Sequence, residues 1–326
     1  MKQTYVGYST DEAIRHKATS GGVGSALIKY LIDNKIVEYA LSFKYDSDHV
    51  GYVPTLVSSF SEYNISGSIY QEMDLITSLK ERLIKANFDA ASKGGNGQIS
   101  GKGIVLFSLP CQTKALRAIC KKAGLDPIII GLTCSSQQSH EATSYLLSRI
   151  GVDEKDVSFL QYRGNGWPSG IQIKTKDGKD YFVNNNGSIW TDIFHSRLFI
   201  QPRCFGCKNT LNDYADIVLA DPWLKEYTTT ESEGQTLFAT YTDVGENLVK
   251  NALCSKYIIA KEVSSELLYR SQRSTIKRKE AYNAHPTIRK WVRKVFLSSL
   301  YRKLVKNSFL FRLHCRLKSK IESLIL

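Results

Sequence analysis

The chain has 326 residues, of which 42% are hydrophobic and 11% aromatic, a composition typical of a folded globular protein with a substantial core. Its formal net charge is +13, but residues 275–326 hold fourteen lysines and arginines against two acids, so residues 1–274 are close to neutral. No apolar run approaches the roughly 20 residues that a membrane-spanning helix needs, and no signal-peptide core opens the sequence. We therefore expect a cytoplasmic protein whose body has no nucleic-acid groove.

The first elements are predicted around a glycine-rich turn. Residues 18–25 are rich in hydroxyls and glycine and precede an apolar periodic run, which predicts a helix N-terminus. Its free N–H groups either bind a phosphate or cofactor or form an ordinary cap. Residues 37–43 and 53–60 alternate like a pair of strands, and residues 75–84 have helical spacing. Five glycines in residues 91–103 predict a loop.

The middle of the sequence alternates strands with helices. A predicted strand at 104–107 leads to Cys111 and a helix at 113–122, and a strand at 128–130 leads to Cys134 and a helix at 139–150. This repetition predicts parallel strands, whose C-terminal ends are where such folds bind ligands. We therefore expect both cysteines at that edge of a sheet.

The later part of the body is strand-rich. Short strands are predicted at 158–162, 171–175, 181–183, 217–220 and 237–242. The predicted fold class is mixed α/β, with a central β-sheet and flanking helices. We predict a core over residues 1–274, made of an α/β part to about 150 and a strand-rich part from about 151. Residues 275–326 are predicted to form a basic, amphipathic helical tail.

Four of the seven cysteines are candidates for one metal site. Cys204 and Cys207 form a C-x-x-C, which can chelate a metal, while Cys111 and Cys134 each follow a predicted strand. Four such thiolates suit an iron–sulfur cluster or a structural zinc, and the alternative is that Cys111 and Cys134 are ordinary buried residues. Cys120, Cys254 and Cys315 lie in helix-like contexts and are interpreted as structural.

The basic tail contains two apolar stripes at helical spacing. The stripes are Ile288, Trp291, Val292, Val295 and Phe296, then Leu310, Leu313, Leu317, Ile321 and Leu324. Basic amphipathic helices of this kind bind anionic membrane surfaces, which would place the protein at the inner face of the membrane. The same spacing also fits helices packed against the body or a partner, and both interpretations stay open.

Several motifs, taken in order, resemble the coenzyme F420 hydrogenase/dehydrogenase beta subunit family. The family's patterns are matched here by Ser20-Gly21-Gly22, Gly67-Ser68-Ile69-Tyr70, Leu109-Pro110-Cys111-Gln112, Arg163-Gly164-Asn165-Gly166-Trp167, Arg203-Cys204-Phe205-Gly206-Cys207, and residues 215–223 with Asp216, Asp221 and Trp223. The resemblance covers residues 19–248.

The resemblance implies a flavin-dependent oxidoreductase with FAD and one [4Fe–4S] cluster. The cluster ligands it implies are Cys111, Cys134, Cys204 and Cys207, and the flavin residues are Thr19, Ser20, Gly21, Gly22, Ser68 and Tyr70. Ferredoxin-like cysteine runs are missing, so an external electron donor or acceptor is expected: ferredoxin, NAD(P)H or F420. Relatives of this shorter kind suggest a role in surface polysaccharide biosynthesis.

The sequence departs from the family pattern near two cysteines. Ser108 and Leu109 replace the usual Gly-Thr before Pro-Cys-Gln, and Ser135 follows Cys134 where a histidine is usual. The alternative function from another class is a zinc-binding scaffold that uses the same four cysteines. No catalytic acid is evident; His140 and His195 are candidates, and each is also typical of a surface or helix position.

Overall fold

The structure is a computed structural model that describes residues 1–92 and 103–326, with side chains described through Leu83 and again from Gly103. The helix that begins at Leu75 extends to Ser92, further than predicted. Most of the glycine loop predicted at 91–103 therefore lies outside the described residues.

Eleven strands lie in the described ranges, eight of them in one sheet. The strands are β1 (Thr4–Ser9), β2 (Tyr39–Asp46), β3 (Gly51–Val57), β4 (Gly103–Ser108), β5 (Asp126–Leu132), β6 (Val157–Gln161), β7 (Gly170–Thr175), β8 (Asp180–Asn184), β9 (Ile217–Ala220), β10 (Thr236–Thr240) and β11 (Ile258–Val263). The main sheet has the order β11-β1-β10-β9-β5-β4-β2-β3, and β6, β7 and β8 form a separate antiparallel sheet.

Helices cover both faces of the main sheet and build the C-terminal region. They are α1 (Glu12–Lys17), α2 (Val23–Asp33), α3 (Leu75–Ser92), α4 (Thr113–Lys122), α5 (His140–Arg149), α6 (Ile189–Ser196), α7 (Lys225–Thr228), α8 (Asp243–Cys254), α9 (Ser265–Ala284), α10 (Pro286–Phe296), α11 (Ser299–Val305) and α12 (Ser308–Ile325). Short 3-10 helices lie at Glu154–Asp156 and Pro202–Gly206.

The centre of the main sheet is parallel, as the sequence predicts. Strands β2, β4, β5 and β9 run in the same direction, whereas β3, β1, β10 and β11 add antiparallel neighbours. Ile104, Val105 and Leu106 of β4 are fully buried, which is typical of a strand covered on both faces. The mixed α/β fold class is confirmed, and the parallel strands bring the ends of β4 and β5 to one edge.

The segment called a tail on the basis of its charge is packed into the molecule. Helix α9 runs without interruption across residue 275, and Val292, Phe296 and Phe311 are at most 1% exposed in the same apolar core as α5 and α6. The boundaries at 150 and 274 stay predictions. Strands β9, β10 and β11 follow residue 150 and complete the main sheet, and α9 crosses residue 274, so neither boundary falls between separate structural units.

Each predicted apolar stripe divides between the core and the surface. Buried or partly buried residues are Ile288, Val292, Val295, Phe296, Leu310 and Ile321. Exposed residues are Trp291, Leu313, Leu317 and Leu324. The C-terminal helices therefore have one face against the body and a second, partly apolar face exposed.

None of the helices in the described ranges is sufficiently long and apolar to traverse a lipid bilayer.

Candidate functional site

A cavity of about 870 Å³ opens at the edge where the parallel strands end. Its walls are the turn before α2, the segment around residues 63–70, the loops after β4 and β5, one side of α6, and residues 270–277 of α9. A cavity of this size accommodates a large cofactor or a cofactor together with part of a substrate. Five of the six predicted flavin residues line it: Thr19, Ser20, Gly22, Ser68 and Tyr70.

The glycine turn at one end of the cavity has a conformation that suits close ligand approach. Gly22 has a φ of +76° and precedes the first turn of α2, where no side chain caps the free N–H groups. The Thr19 Oγ1 atom is buried without a hydrogen-bond partner. Gly21, the sixth predicted residue, faces the protein instead, because a Cβ there would lie 2.5 Å from the carbonyl oxygen of Gly7. Residues 23–25 at the start of α2 line the cavity, so the uncapped N–H groups of this first turn lie at its wall.

A buried arginine holds the two predicted flavin segments together. Arg163, which is 1% exposed, donates to the carbonyl of Thr19 at 3.2 Å and to the hydroxyl of Tyr70 at 3.5 Å. It also forms an ion pair with the carboxylate of Asp221. Its guanidinium lies 5.2 Å from the ring centres of both Trp167 and Trp223.

The same arginine explains the glycine in the second segment. Gly67 has a φ of +66°, and a Cβ at this position would lie 2.0 Å from the Arg163 carbonyl oxygen. The motif at residues 163–167 therefore holds together the segments at Thr19 and at residues 67–70, which line the cavity. The sequence contained the motif, but its role depends on contacts that only the fold shows.

Cys134 lies on the cavity wall, and the other three predicted cysteines lie near enough to influence its pKa. Burial raises the pKa of Cys134 to about 12; nearby Lys279 opposes this rise, and Cys204, Cys111 and Cys207 add to it. Burial also raises the pKa of Cys204, and the backbone N–H of Gln137 lies 3.5 Å from its sulfur.

Two of the other cysteines lie in helices of the main sheet's flanks. Cys120 is buried in α4 and Cys254 is exposed at the end of α8.

Within residues 1–92 and 103–326, no three histidine, cysteine or carboxylate groups are arranged to hold a single metal ion. The ligand set of Cys111, Cys134, Cys204 and Cys207 therefore stays a prediction, with the other three near enough to Cys134 to affect its pKa.

Two basic residues of α9 contact the loops that carry these cysteines. Lys279 donates to the carbonyl oxygens of Cys134 at 2.7 Å and Asn209 at 2.8 Å, and its Nζ atom lies 3.5 Å from the sulfur of Cys207. Arg278 donates to the Ser135 hydroxyl at 2.6 Å. The sequence contains no sign of these contacts, because Arg278 and Lys279 belong to a run of basic residues that predicts an exposed charge.

The wall of the cavity nearest α9 is basic. Four basic residues line it: Arg203, Arg270, Arg273 and Lys277. Among the lining residues that the structure describes, Asp221 is the one acid, and its carboxylate is paired with Arg163. Arg270 has a surface ion pair with Glu226 at 3.3 Å. The remaining positive charge favours an anionic group in this part of the cavity.

The two candidate histidines differ in position. His195 lines the cavity, and desolvation together with the nearby Arg278 lowers its pKa to about 4, so the ring is neutral near pH 7. His140 instead pairs with Glu154 and lies 2.7 Å from the Gln71 amide nitrogen. Asp216 is structural, because its carboxylate accepts hydrogen bonds from Arg117, the Ile129 backbone and Thr242.

Comparison with known proteins identifies the family. Residues 101–266 match the family model for the C terminus of the coenzyme F420 hydrogenase/dehydrogenase beta subunit, and residues 4–80 match its N-terminal counterpart. The chain belongs to the coenzyme F420 hydrogenase/dehydrogenase beta subunit family, and it is an oxidoreductase of that type. Members of this family typically bind FAD and iron–sulfur clusters.

Individual relatives agree with this assignment. The chain is 22% identical over 305 residues to the F420-dependent formate dehydrogenase subunit beta of Methanocaldococcus jannaschii, covering 87% of this chain and 70% of the relative. It is 25% identical over 311 residues to subunit beta of F420-dependent formate dehydrogenase 1 from Methanococcus maripaludis, covering 89% and 72%.

A solved structure has a similar fold. The F420-reducing [NiFe] hydrogenase complex from Methanosarcina barkeri contains a chain that matches with a TM-score of 0.62 at 17% identity, covering 88% of this chain and 91% of the other. At this identity, the similarity concerns the fold.

Proposed function

We propose that the chain is an electron-transferring oxidoreductase that binds FAD in the cavity and one [4Fe–4S] cluster at Cys111, Cys134, Cys204 and Cys207. One observation carries the proposal: a single cavity joins the Thr19–Gly22 turn and Tyr70 to Cys134. A flavin in it would lie beside the cysteines, as electron transfer between the two groups requires. Bound flavin supplies the conversion between two-electron and one-electron chemistry.

The residues present fit both groups. Free N–H groups at the start of α2 and the unpartnered Thr19 hydroxyl suit the phosphates of FAD, with Ser68 and Tyr70 on the facing wall. Four soft thiolates suit an iron–sulfur cluster. The Gln137 N–H directed at Cys204 is the kind of contact that stabilises a metal-bound thiolate.

The electron partner is external to this chain in our proposal. Because the relatives from methanogens are F420-dependent enzymes, F420 is the first candidate, with NAD(P)H and ferredoxin as the others. We further propose that the partner or substrate that reaches the cavity is anionic, which the arginines and lysine of α9 support. A phosphate-bearing sugar of surface polysaccharide biosynthesis is a substrate of this class.

The anaerobic absorption spectrum tests the cofactor proposal. Purified protein should be brown and contain iron, and the yellow absorption of flavin should bleach when the correct reduced donor is added. Protein that contains zinc and neither iron nor flavin would support the zinc-binding scaffold instead. Arg273→Gln should raise the KM for the anionic partner with kcat largely unchanged. Arg312→Gln, at an exposed position of α12 that does not line the cavity, serves as its control.

We also propose that the exposed face of α11 and α12 attaches the protein to anionic membranes. Its exposed apolar residues are Leu300, Leu304, Phe309, Leu313, Leu317 and Leu324. Basic residues accompany them at Lys303, Arg312, Arg316 and Lys320. This combination is typical of helices that lie at the lipid headgroups.

Point variants test this attachment, because truncation would also remove the buried side chains of α10 and α12. Full-length protein should float with vesicles that contain phosphatidylserine, and the double variant Phe309→Glu, Leu313→Glu should float much less. The control, Ser319→Glu with Ser323→Glu, adds the same charge on the same helix without removing apolar surface. Equal flotation of the two variants would assign this face to a protein partner or to solvent.

A further inference from the structure

Lys279 has a position that is unusual for a lysine of a basic surface segment. It is 5% exposed, and its three donors are used on the carbonyls of Cys134 and Asn209 and on the sulfur of Cys207. These contacts connect the loop after β5 to the loop that follows the C-x-x-C. One side chain from α9 therefore fixes two of the segments that carry the candidate ligands.

The charge of this lysine lacks a carboxylate counterion. In the part of the chain that the structure describes, the contacts of Lys279 are two neutral carbonyls and a cysteine sulfur, and no ion pair with an acid is formed. A buried ammonium is costly unless negative charge lies beside it. The cysteines supply that charge when they are thiolates, as they are when they bind metal.

From this geometry we infer that Lys279 is a positioning residue whose buried positive charge raises the reduction potential of the cluster. The inference rests on the proposed cluster at the four cysteines. Reduction adds one negative charge to the site, and an adjacent ammonium stabilises the reduced form more than the oxidised form. The family matches end at residue 266, so this contribution comes from a part of α9 that lies beyond them.

The test compares Lys279 with an exposed lysine outside the cavity. Lys279→Met removes the charge but keeps an unbranched chain, Lys279→Arg keeps the charge, and Lys290→Met removes an exposed charge on the next helix, α10. Iron content and the midpoint potential, followed by electron paramagnetic resonance, would be measured for each anaerobic protein.

We expect Lys279→Met to make one-electron reduction at least about tenfold less favourable, which is a fall of about 59 mV. Lys290→Met should differ from the wild type by less than about threefold, because solvent screens its charge. Loss of iron from Lys279→Met, with iron retained in Lys279→Arg, would replace the inference by a role of the charge in cluster retention.

Two further results would overturn the inference. Lys279→Met with full iron and an unchanged potential would show that the charge does not act on the cluster. Loss of iron from both Lys279→Met and Lys279→Arg would assign Lys279 a packing role alone. Wild-type protein without iron is a different outcome, since it would reject the proposed function itself.

Discussion

The guanidinium of Arg163 forms an ion pair with the carboxylate of Asp221 inside the cavity wall, 58 positions apart in the chain. The arginine side chain is 1% exposed and the aspartate side chain 19%. Because Arg163 also donates to Thr19 and Tyr70, this pair determines how the two predicted flavin segments face each other. Its loss should affect both stability and flavin binding.

Asp221→Asn should destabilise the protein by about 3 kcal/mol, because the buried guanidinium loses its counterion; the partial exposure of Asp221 limits the cost. Denaturant unfolding measures this change, and flavin content should fall in the same variant. The matched control is Asp180→Asn, which breaks an exposed pair with Lys174 and should cost no more than about 0.5 kcal/mol. Similar losses in both variants would contradict the role of the buried pair.

Substitution of the C-x-x-C cysteines should remove the cluster that we propose. Cys204→Ser and Cys207→Ser should each lose most of their iron and become markedly less stable, because metal binding and folding are coupled. Cys120→Ala and Cys254→Ser should keep their iron, as these residues lie in α4 and α8. Iron per chain is the measurement. Full iron in the Cys204 variant would reject this ligand set.

Gly22→Val should release FAD while iron stays bound. The backbone at Gly22 is left-handed, and a Cβ would lie 3.1 Å from the Cα of Arg15, so a branched side chain distorts the turn before α2. Flavin and iron would be quantified on the same sample. Gly178→Val is the control: it has a positive φ of 85°, but nothing lies within 4 Å of its Cβ and it belongs to the β7–β8 turn. A Gly22 variant with normal flavin would place the cofactor elsewhere.

Acid should weaken the attachment of α12 through Glu322. Burial alone would raise the pKa of this carboxyl, but the charges of Arg197 and Lys318 outweigh it and lower the pKa below its ordinary 4.5. A lowered folded-state pKa contributes stability that is present above pH 4.5 and is lost as the pH falls through the folded value.

The comparison with Glu322→Gln isolates this contribution. The wild type should exceed the variant in free energy of unfolding at pH 7, and the difference should shrink as the pH falls below about 4.5. The buried His314, whose pKa is lowered by burial, affects both proteins alike and cancels in the difference. A difference that does not depend on pH would contradict the assigned ion pairs.

The sequence predicts those features that depend on local periodicity. Strands β4 and β5 and helices α4 and α5 are recognisable from short apolar runs and helical spacing, and these elements place Cys111 and Cys134 at one edge. Parallel strand order follows from the β–loop–α repetition. The pairing of β1 with β10 and β11 was not predicted, since it joins residues about 240 positions apart.

Contacts between distant segments could not be predicted from local pattern. Lys279 bonds to Cys134 across 145 positions, and a lysine in a run of basic residues carries no signal of burial. The charge of residues 275–326 predicted a basic amphipathic tail and left membrane binding and packing against the body as open alternatives. Amphipathic spacing gave the correct helices but did not distinguish the face that packs on the core from the face that is exposed.

The linkage between Arg197 and Glu322, at 2.8 Å across 125 positions, has a consequence for biosynthesis. Helix α6 lines the cavity, and its neighbour Arg197 obtains this carboxylate partner only when α12 has left the ribosome. Because the chain is made from its N-terminus, α6 and Arg197 are synthesised well before the helix that holds them in place. The part of the cavity wall that α6 forms should therefore reach its final packing only after α12 has been made.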